Sequence, residues 1–499
     1  MNRFNKFLAF LICLILIFSL VACGANNTPQ DSDTNIQNSN ENITDTGDVS
    51  KPSDGEQASN DTQSEDNKTL ADDNPTGDEP NNEPPIEEKD QFVDLVDSSF
   101  LKITLDREKS SNRKISLVAS FKENTSGVFS LYYADNDGNK LGYYTAIKSA
   151  QIDNANKSII VEDLIIPNKC AQILVEENST SVCLAKIPEE YLGKKGYTFS
   201  ALSDPHFNKG NYFVTALDFL DGLEIDFVGV AGDVTGNGEL SYMQKFNNAI
   251  KDRKYPVYTV GGNHDTPALS NGAWIENMNT DITTNLEVVD IAKNGIDFVY
   301  KPTKMAGDVF VFLTQTSWSY PESPKGDEYT ILTREQLEWL SGALEEYKDT
   351  TVYLFFHTLL SAPDGTQASA VGNLVTPSGY SYDLPYSYGA ADEVELRGLL
   401  KKYKNVIYFS GHSHWMFELE KYNSNLNVSN FDGEYAYMVH VPSVCEPRSI
   451  DEDGNRISKT GVYSEGWILD VYDDIIVLTP VDFLGEVFYT EYMKIIPLK

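Results

Sequence analysis

Five of the six histidines in this 499-residue chain lie in short polar segments, and each segment follows a run of residues typical of a β-strand. The segments are Asp204-Pro205-His206, Gly232-Asp233, Gly262-Asn263-His264-Asp265, His357 and Gly411-His412-Ser413-His414. Imidazole suits zinc, iron or manganese, and carboxylate and amide oxygens suit harder ions. Two such ions about 3.5–4 Å apart can lower the pKa of a water molecule and clamp phosphate oxygens. The pattern therefore predicts a pair of metal ions that hydrolyses phosphate esters.

The elements that must position these segments follow from the pattern after Tyr197. Strand-like and helical runs alternate there, which predicts an α/β core with largely parallel strands. Thr333-Arg334-Glu335-Gln336 has the pattern of a capping box that begins a helix. Because loops at the carboxyl ends of parallel strands meet in one crevice, we expect the fold to gather the histidines and carboxylates there.

The segment before this core has a different pattern. From residue 91 to residue 196, short strand-like runs are separated by turn sequences, which predicts a small all-β sandwich of the immunoglobulin or fibronectin kind. It holds no histidine, and we interpret it as a spacer or docking module. Cys170 and Cys183 flank a predicted hairpin, and either a disulfide or two separate thiols is compatible with that spacing.

The N-terminus has the features of an exported lipoprotein. Arg3 and Lys6 precede an apolar run from Phe7 to Val21 that is short for a membrane span and typical of a signal peptide. The run ends in Leu-Val-Ala-Cys23-Gly, which resembles the lipobox of bacterial lipoproteins. The resemblance implies cleavage before Cys23 and lipidation of its thiol. A plain signal peptide with an incidental cysteine is the alternative.

Residues 24–90 predict a disordered acidic linker. They contain eighteen Asp or Glu residues, three Lys and no aromatic residue, so they can bury too little apolar surface to offset the entropy of ordering. A lipid at Cys23 and this linker would place the folded domains outside a bacterial cell membrane. The net charge of the whole chain is −36, which argues against nucleic acid as a partner.

The polar segments together resemble the motif set of the calcineurin-like metallophosphoesterases. That set is D-x-H, G-D, G-N-H-[DE], a single His after a strand and G-H-x-H, and all five appear here in order between residues 197 and 414. The resemblance implies that residues 197–499 form a four-layer α/β/β/α sandwich. It also implies a two-metal phosphoesterase in which a metal-bridging hydroxide attacks the phosphoester substrate, with Mn, Fe or Zn as the metals.

The resemblance also assigns roles to individual residues. It implies that Asp204, His206 and His414 hold one metal, that Asn263, His357 and His412 hold the second, and that Asp233 bridges them. His264 would contact the phosphate and assist departure of the leaving oxygen, and Asp265 would orient its imidazole. His440 lies in an apolar strand, and we interpret it as structural.

Departures from the family pattern bear on the substrate. Purple acid phosphatases place a tyrosine ligand three residues after the bridging Asp, where this chain has Gly236. Residues 232–238 are more similar to the branch that includes bacterial cyclic-nucleotide and glycerophosphodiester phosphodiesterases, which slightly favours diesters. A phosphomonoesterase and a non-catalytic surface-binding lipoprotein on the same fold are the alternatives. The tyrosine-rich run 380–388 is either a substrate lid or a packed surface loop.

Overall fold

The computed structural model describes residues 90–305, 307–316, 331–363, 370–379 and 391–498. All of these belong to one compact unit that spans residues 86–499. The predicted signal peptide with Cys23, the predicted acidic linker up to residue 89 and the tyrosine-rich run 380–388 lie outside the described residues. None of the helices in the described ranges combines the length and the apolar composition that crossing a membrane requires.

Eight antiparallel strands occupy residues 92–186. They are β1 (Phe92–Asp97), β2 (Leu101–Ser111), β3 (Lys114–Phe121), β4 (Gly127–Ala134), β5 (Lys148–Ile152), β6 (Ser158–Ile165), β7 (Gln172–Glu177) and β8 (Thr180–Lys186). One sheet has the order β1-β2-β3-β6, and the other has the order β5-β4-β7-β8. Alternate residues of both sheets meet in one buried cluster that includes Ile103, Leu117 and Leu131, because successive side chains of a strand point to opposite faces.

The hairpin of β7 and β8 keeps the two cysteines of this region apart. Its register pairs Cys183 with Val175, whereas Cys170 precedes β7, whose first residue Gln172 pairs with Lys186. Both cysteines are free thiols; Cys170 is buried and Cys183 is partly exposed. Burial raises the pKa of the Cys170 thiol to about 12. Of the two alternatives that the sequence left open, the structure has the separate thiols.

The described residues after 186 form two large mixed sheets and a two-stranded ribbon. The strands are β9 (Lys195–Leu202), β10 (Phe227–Val230), β11 (Val257–Thr259), β12 (Val288–Ile291), β13 (Phe298–Tyr300), β14 (Val309–Phe312), β15 (Val352–Phe355), β16 (Val406–Ser410), β17 (Val428–Ser429), β18 (Tyr437–His440), β19 (Arg448–Ile450), β20 (Arg456–Ser458), β21 (Glu465–Tyr472), β22 (Ile475–Asp482), β23 (Val487–Phe488) and β24 (Lys494–Pro497). One large sheet has the order β11-β10-β9-β21-β22-β23, with β24 also paired to β22, and the other has the order β12-β13-β14-β15-β16-β18-β17.

The strand directions differ from the largely parallel arrangement that the sequence predicts. Strands β9, β10 and β11 are parallel, and so are β14, β15, β16 and β18. The flanking strands are antiparallel, including β21, which pairs with β9 along most of its length. Both sheets are therefore mixed rather than largely parallel. The C-terminal hairpin of β21 and β22 adds antiparallel strands to the first sheet, and β12, β13 and β17 add them to the second.

Helices cover the sheets. Within the described ranges the α-helices are Tyr212–Leu220, Leu240–Ile250, Thr266–Ser270, Ala273–Asn277, Arg334–Glu346 and Ala391–Lys402. The predicted capping box is confirmed: the Gln336 backbone N–H donates to Thr333 Oγ1 at 3.2 Å, and the Thr333 N–H donates to Gln336 Oε1 at 3.0 Å. This reciprocal pair satisfies donors that a helix start would leave unpaired.

Three buried clusters hold the sheets and helices together. Aromatic residues of both large sheets share the central cluster, in which Phe199 and Phe310 meet edge to face with ring centroids 5.2 Å apart. On the other face of the first sheet, Val228 packs with Leu217 and Phe246 of two helices. The other face of the second sheet packs in the same way on the helices Arg334–Glu346 and Ala391–Lys402.

Candidate metal centre

Five strands of the two sheets end beside the polar segments. Strand β9 leads to Asp204 and His206, β10 to Asp233, β11 to Asn263, β15 to His357, and β16 to His412 and His414. The donor atoms fall into two groups, and within each group they lie within 4.8 Å of one another. The first group is Asp204, His206, Asp233 and His414, and the second is Asp233, His357 and His412. The fold thus brings these side chains together, with Asp233 common to both groups.

The backbone at these residues is unusual. Asp204, His206, Asp233, His412 and His414 all have positive φ angles, between 36° and 73°. Residues other than glycine adopt such angles infrequently, because the Cβ atom is crowded there. Backbone strain of this kind costs free energy and persists at functional sites where the surrounding structure enforces it. Five strained residues in one pocket therefore mark the pocket as functional.

Two glycines allow the loops to approach closely. A Cβ atom on Gly262 would lie 2.2 Å from Asp233 Oδ1, and one on Gly411 would lie 1.7 Å from Ser203 Oγ. Both distances are far below van der Waals contact, so only glycine is compatible with this packing. The two positions let the loops after β11 and β16 reach the carboxylates.

The first donor group presents atoms that only accept hydrogen bonds. His206 Nδ1 lies 3.2 Å from the Thr235 carbonyl oxygen, and His414 Nδ1 lies 3.1 Å from the Glu446 carbonyl oxygen. Each Nδ1–H therefore donates to a carbonyl, which leaves a lone pair on each Nε2. The two Nε2 atoms face each other at 3.3 Å. Asp204 Oδ1 is buried, receives no hydrogen bond from any described residue and lies 3.0 Å from His414 Nε2. A cation satisfies this set of acceptors.

The second donor group has the same character. His357 Nδ1 lies 2.6 Å from the Ala231 carbonyl oxygen, so Nε2 turns toward the pocket. This Nε2 lies 3.1 Å from Asp233 Oδ2 and 3.0 Å from Asn263 Oδ1. His412 presents its Nδ1 instead, 2.8 Å from Asn263 Oδ1. Oxygen and nitrogen acceptors again converge on one point.

Both carboxylates of the pocket are ionised. Burial by itself would raise their pKa values, because it disfavours the charged form. The adjacent imidazole of His414 nevertheless holds the pKa of Asp204 well below its usual range, and the imidazole of His357 acts in the same way on the pKa of Asp233. The protein therefore supplies two negative charges to balance bound cations.

In histidine the charged form is the protonated ring, so burial lowers the pKa of an imidazole. It lowers the pKa of His206 to about 4 and that of His412 to about 3, so both rings are neutral at pH 7. Burial also acts to lower the pKa of His357, but the adjacent Asp233 carboxylate raises it to about 9. Neutral imidazoles and carboxylates are the donors that Mn, Fe and Zn ions accept, so the residues present fit a pair of such ions.

His264 lies at the mouth of the pocket. Its side chain is 47% exposed, and its Nδ1 lies 2.7 Å from the carbonyl oxygen of Gly236. Its Nε2 lies 4.0 Å from Asp233 Oδ2, on the side of the shared carboxylate. The ring is therefore held by the loop that follows Asp233 and presents Nε2 toward the donor groups.

Asp265, which the sequence analysis expects to orient this ring, makes its side-chain hydrogen bonds with the loops on either side of the pocket. The Asp265 carboxylate is fully buried and accepts hydrogen bonds from the backbone N–H groups of Gly262, Val234 and Thr235, and from the Thr235 hydroxyl. Burial, with the charge of Asp233, raises the pKa of Asp265 to about 6. Asp265 therefore ties together the two loops that carry Asp233 and Asn263.

Sequence reasoning missed the groups that orient the imidazoles. The carbonyl oxygens of Ala231, Thr235, Gly236 and Glu446 each accept a hydrogen bond from a histidine. Main-chain carbonyls are present at every residue, so no residue type signals them in a sequence. The Glu446 carboxylate, whose Oε2 lies 3.8 Å from His414 Nδ1, also had no recognisable motif.

Comparisons with known proteins bear on this region. Residues 197–416 match the family described as calcineurin-like phosphoesterase. A probable glycerophosphodiester phosphodiesterase GpdQ of Arcobacter nitrofigilis is 27% identical over 137 residues, which is 26% of this chain and 41% of the relative. The match thus spans less than half the length of that relative.

Two solved structures are also similar. The purple acid phosphatase PPD1 of yellow lupin (Lupinus luteus) has a TM-score of 0.36 and 13% identity, over 78% of this chain and 72% of that one. The phosphopantetheinyl hydrolase PptH of Mycobacterium tuberculosis has a TM-score of 0.29 and 15% identity, over 50% of this chain and 91% of that one.

Proposed function

We propose that residues 197–416, which match the calcineurin-like phosphoesterase family, form a metal-dependent phosphoester hydrolase, and that the whole protein is a surface-anchored two-metal phosphodiesterase. The observation that carries the two-metal part is the shared position of Asp233. Its carboxylate belongs to both donor groups, and one carboxylate can bind two metal ions through its two oxygens.

The two donor groups support one set of ligands for each ion. Asp204, His206 and His414 would hold one metal, Asn263, His357 and His412 would hold the other, and Asp233 would bridge them. When bound, a pair of such ions supplies an activated water molecule and a clamp for phosphate oxygens. The protein residues hold the pair in a buried pocket in which both carboxylates stay ionised.

His264 supplies the proton for the leaving group in this proposal. Its Nδ1–H donates to Gly236, so the ring carries a proton on Nε2 only when it is an imidazolium. Attack of water forms the new bond to phosphorus and releases a proton to solvent. The bond to the leaving oxygen breaks at the same time, and the Nε2 proton passes to that oxygen. Half-exposure of the ring allows it to regain a proton from water.

Two observations favour phosphodiesters. The position three residues after Asp233 is Gly236, which offers no phenolate ligand. The similar protein from Arcobacter nitrofigilis is named as a probable glycerophosphodiester phosphodiesterase. Turnover of bis(p-nitrophenyl) phosphate and of p-nitrophenyl phosphate by the Mn²⁺-loaded protein tests the preference. A higher kcat/KM for the diester supports it, a higher value for the monoester supports a phosphomonoesterase, and no turnover of either supports a surface-binding protein.

The domain plan and the location are part of the same proposal. The central cluster between the sheets and the outer clusters with helices support a four-layer α/β/β/α arrangement for residues 197–499, after a β-sandwich of residues 91–196. The lipobox-like sequence that ends at Cys23 supports a lipid anchor at the outer face of a bacterial membrane. Substrates would then be phosphoesters of the envelope or the surroundings.

A further inference from the structure

Ser413 is the single residue between two histidines that belong to different donor groups. His412 lies in the group of His357, and His414 lies in the group of Asp204. The Ser413 side chain is fully buried, and its Oγ lies 2.8 Å from Nε2 of His440, which is also fully buried. The residue that joins the two histidines is therefore hydrogen-bonded to a side chain that belongs to neither donor group.

The position of His440 is itself fixed from several sides. In the parallel pairing of β16 and β18, His440 lies opposite Ser410. Its backbone N–H donates to the Asn427 carbonyl at 2.9 Å, and its carbonyl accepts the Trp467 indole N–H at 2.7 Å. A Cβ atom on Gly372 would lie 2.7 Å from the ring carbon Cδ2. The imidazole is thus held between Gly372 and the loop after β16.

The hydrogen bond between Ser413 and His440 forms with either tautomer of the ring. His440 Nδ1 is buried and has no hydrogen-bond partner among the described residues. With the proton on Nε2, the ring donates to Ser413 Oγ; with the proton on Nδ1, the Ser413 hydroxyl donates to Nε2. In both cases the contact fixes the serine side chain to strand β18.

We propose that the hydrogen bond between His440 and Ser413 is a positioning contact that sets the separation of the two metal ions. Both flanking histidines have left-handed backbones, with φ of 73° at His412 and 64° at His414. Residues other than glycine leave this conformation when nothing enforces it. Loss of the anchor at Ser413 would let the loop relax and shift the two histidines relative to each other. This inference rests on the proposed two-metal function.

The test uses the full-length chain, stripped of metal and titrated with Mn²⁺ alone. Variants Ser413→Ala and His440→Leu remove the contact, and His440→Gln keeps a donor near the position of Nε2. Ser200→Ala is the matched control, because the buried Ser200 hydroxyl donates to the Trp467 carbonyl at 2.8 Å, outside the donor groups. Calorimetry measures the affinity for each ion, and electron paramagnetic resonance measures the magnetic coupling between the two.

The expected result is specific to the metal pair. Ser413→Ala and His440→Leu each weaken binding of the second Mn²⁺ by about 10–100-fold, the usual effect of losing a group that orients a ligand, and each changes the spin-coupled spectrum. The double variant behaves like either single variant, because both remove one contact. His440→Gln keeps most of the affinity, and Ser200→Ala keeps the wild-type affinity and spectrum.

Two outcomes separate the inference from the function on which it rests. If the wild-type protein binds two Mn²⁺ ions, and Ser413→Ala binds them with the same affinity and the same coupling, the positioning role is overturned and the two-metal function stands. If the wild-type protein takes up fewer than two ions, the two-metal function itself fails. An equal loss of affinity in Ser200→Ala would show a general effect of lost stability and would also overturn the positioning role.

Discussion

The Nδ1 atom of His264 lies 2.7 Å from the carbonyl oxygen of Gly236, three residues after the shared carboxylate Asp233. The loop that presents the bridging ligand therefore also aims the imidazole. Because Nδ1–H is committed to this carbonyl, only Nε2 is available for a substrate. The ring therefore serves proton transfer, and this role is separate from metal binding by the two donor groups.

The change His264→Ala tests that separation. We expect metal content close to that of the wild-type protein, because neither donor group includes this residue. Turnover should fall by about 10²–10⁴-fold, the usual contribution of a general acid. Elemental analysis and steady-state kinetics on the same preparation measure both quantities. Loss of metal from the variant would contradict the assigned role.

The change Asp265→Asn should affect the fold as well as turnover. The buried carboxylate accepts hydrogen bonds from three backbone donors and one hydroxyl, and an amide group cannot accept all of them. Each buried donor left unpaired costs about 1–3 kcal/mol. We expect a lower denaturation midpoint and weaker Mn²⁺ binding. Asp226→Asn, which changes a part-buried carboxylate bonded to one backbone N–H outside the pocket, is the control. If Asp265→Asn lowered only turnover, the idea that Asp265 ties the loops together would fail.

Much of this site was predictable because its residues have distinctive types at the ends of strands. The order of Asp204, Asp233, Asn263 and the histidines identified the family, and the family match confirms that identification. The capping box at Thr333 was predictable for a similar reason, since a local pattern specifies a local contact. Patterns of this kind need no knowledge of distant pairing.

Contacts between distant residues were not predictable. Strand β21 pairs with β9 across more than 260 residues of sequence, and nothing in either strand specifies the partner. His440 looked structural because its neighbours are apolar, and its contact with Ser413 depends on the pairing of β16 with β18. Asp265 follows His264 directly in sequence, yet its side chain turns to the backbone of Thr235 instead. Adjacency along the chain does not imply contact between side chains.

The buried carboxyl of Asp297 should make stability depend on pH. Burial raises its pKa to about 6, from an ordinary value of 3.8, even though Thr314, Asn294 and Gln336 donate hydrogen bonds to it. The native state therefore binds the proton more tightly than the unfolded state. The contribution to stability is fully present below pH 3.8 and is lost as pH rises to about 6.

The comparison with Asp297→Asn isolates this effect. The free energy of unfolding of the wild-type protein, relative to the variant, should fall by about 2 kcal/mol between pH 4 and pH 6.5. The mispaired amide of the variant lowers its free energy of unfolding by an amount that does not depend on pH. It therefore does not change how the difference between the two proteins varies with pH. Urea denaturation of both proteins at several pH values measures the difference. A difference that stays constant over this range would exclude a raised pKa at Asp297.

The proposed lipid anchor predicts the behaviour of Cys23→Ser. The wild-type protein should lack residues 1–22 and carry lipid on Cys23. It should remain on the membrane, because two acyl chains anchor a protein stably. The variant should be released into the medium or stay unprocessed. Fractionation and intact-mass measurement distinguish these forms. A variant that stays on the membrane with its signal peptide removed would rule out the lipid anchor.

The bridging role of Asp233 is tested by loss of its charge. Asp233→Asn keeps the shape of the side chain but removes the charge that both donor groups share. We expect weaker binding of both ions rather than of one, because each ion loses the same ligand. Wild-type affinity for one ion in this variant would assign Asp233 to a single metal.

Turnover of bis(p-nitrophenyl) phosphate during stepwise addition of Mn²⁺ to the metal-stripped protein tests the two-metal site most directly. The shared position of Asp233 between two donor groups predicts little activity at one equivalent and a plateau as the second equivalent binds. Full activity at one equivalent, or a rate that does not respond to the metal, would contradict a dinuclear phosphoesterase.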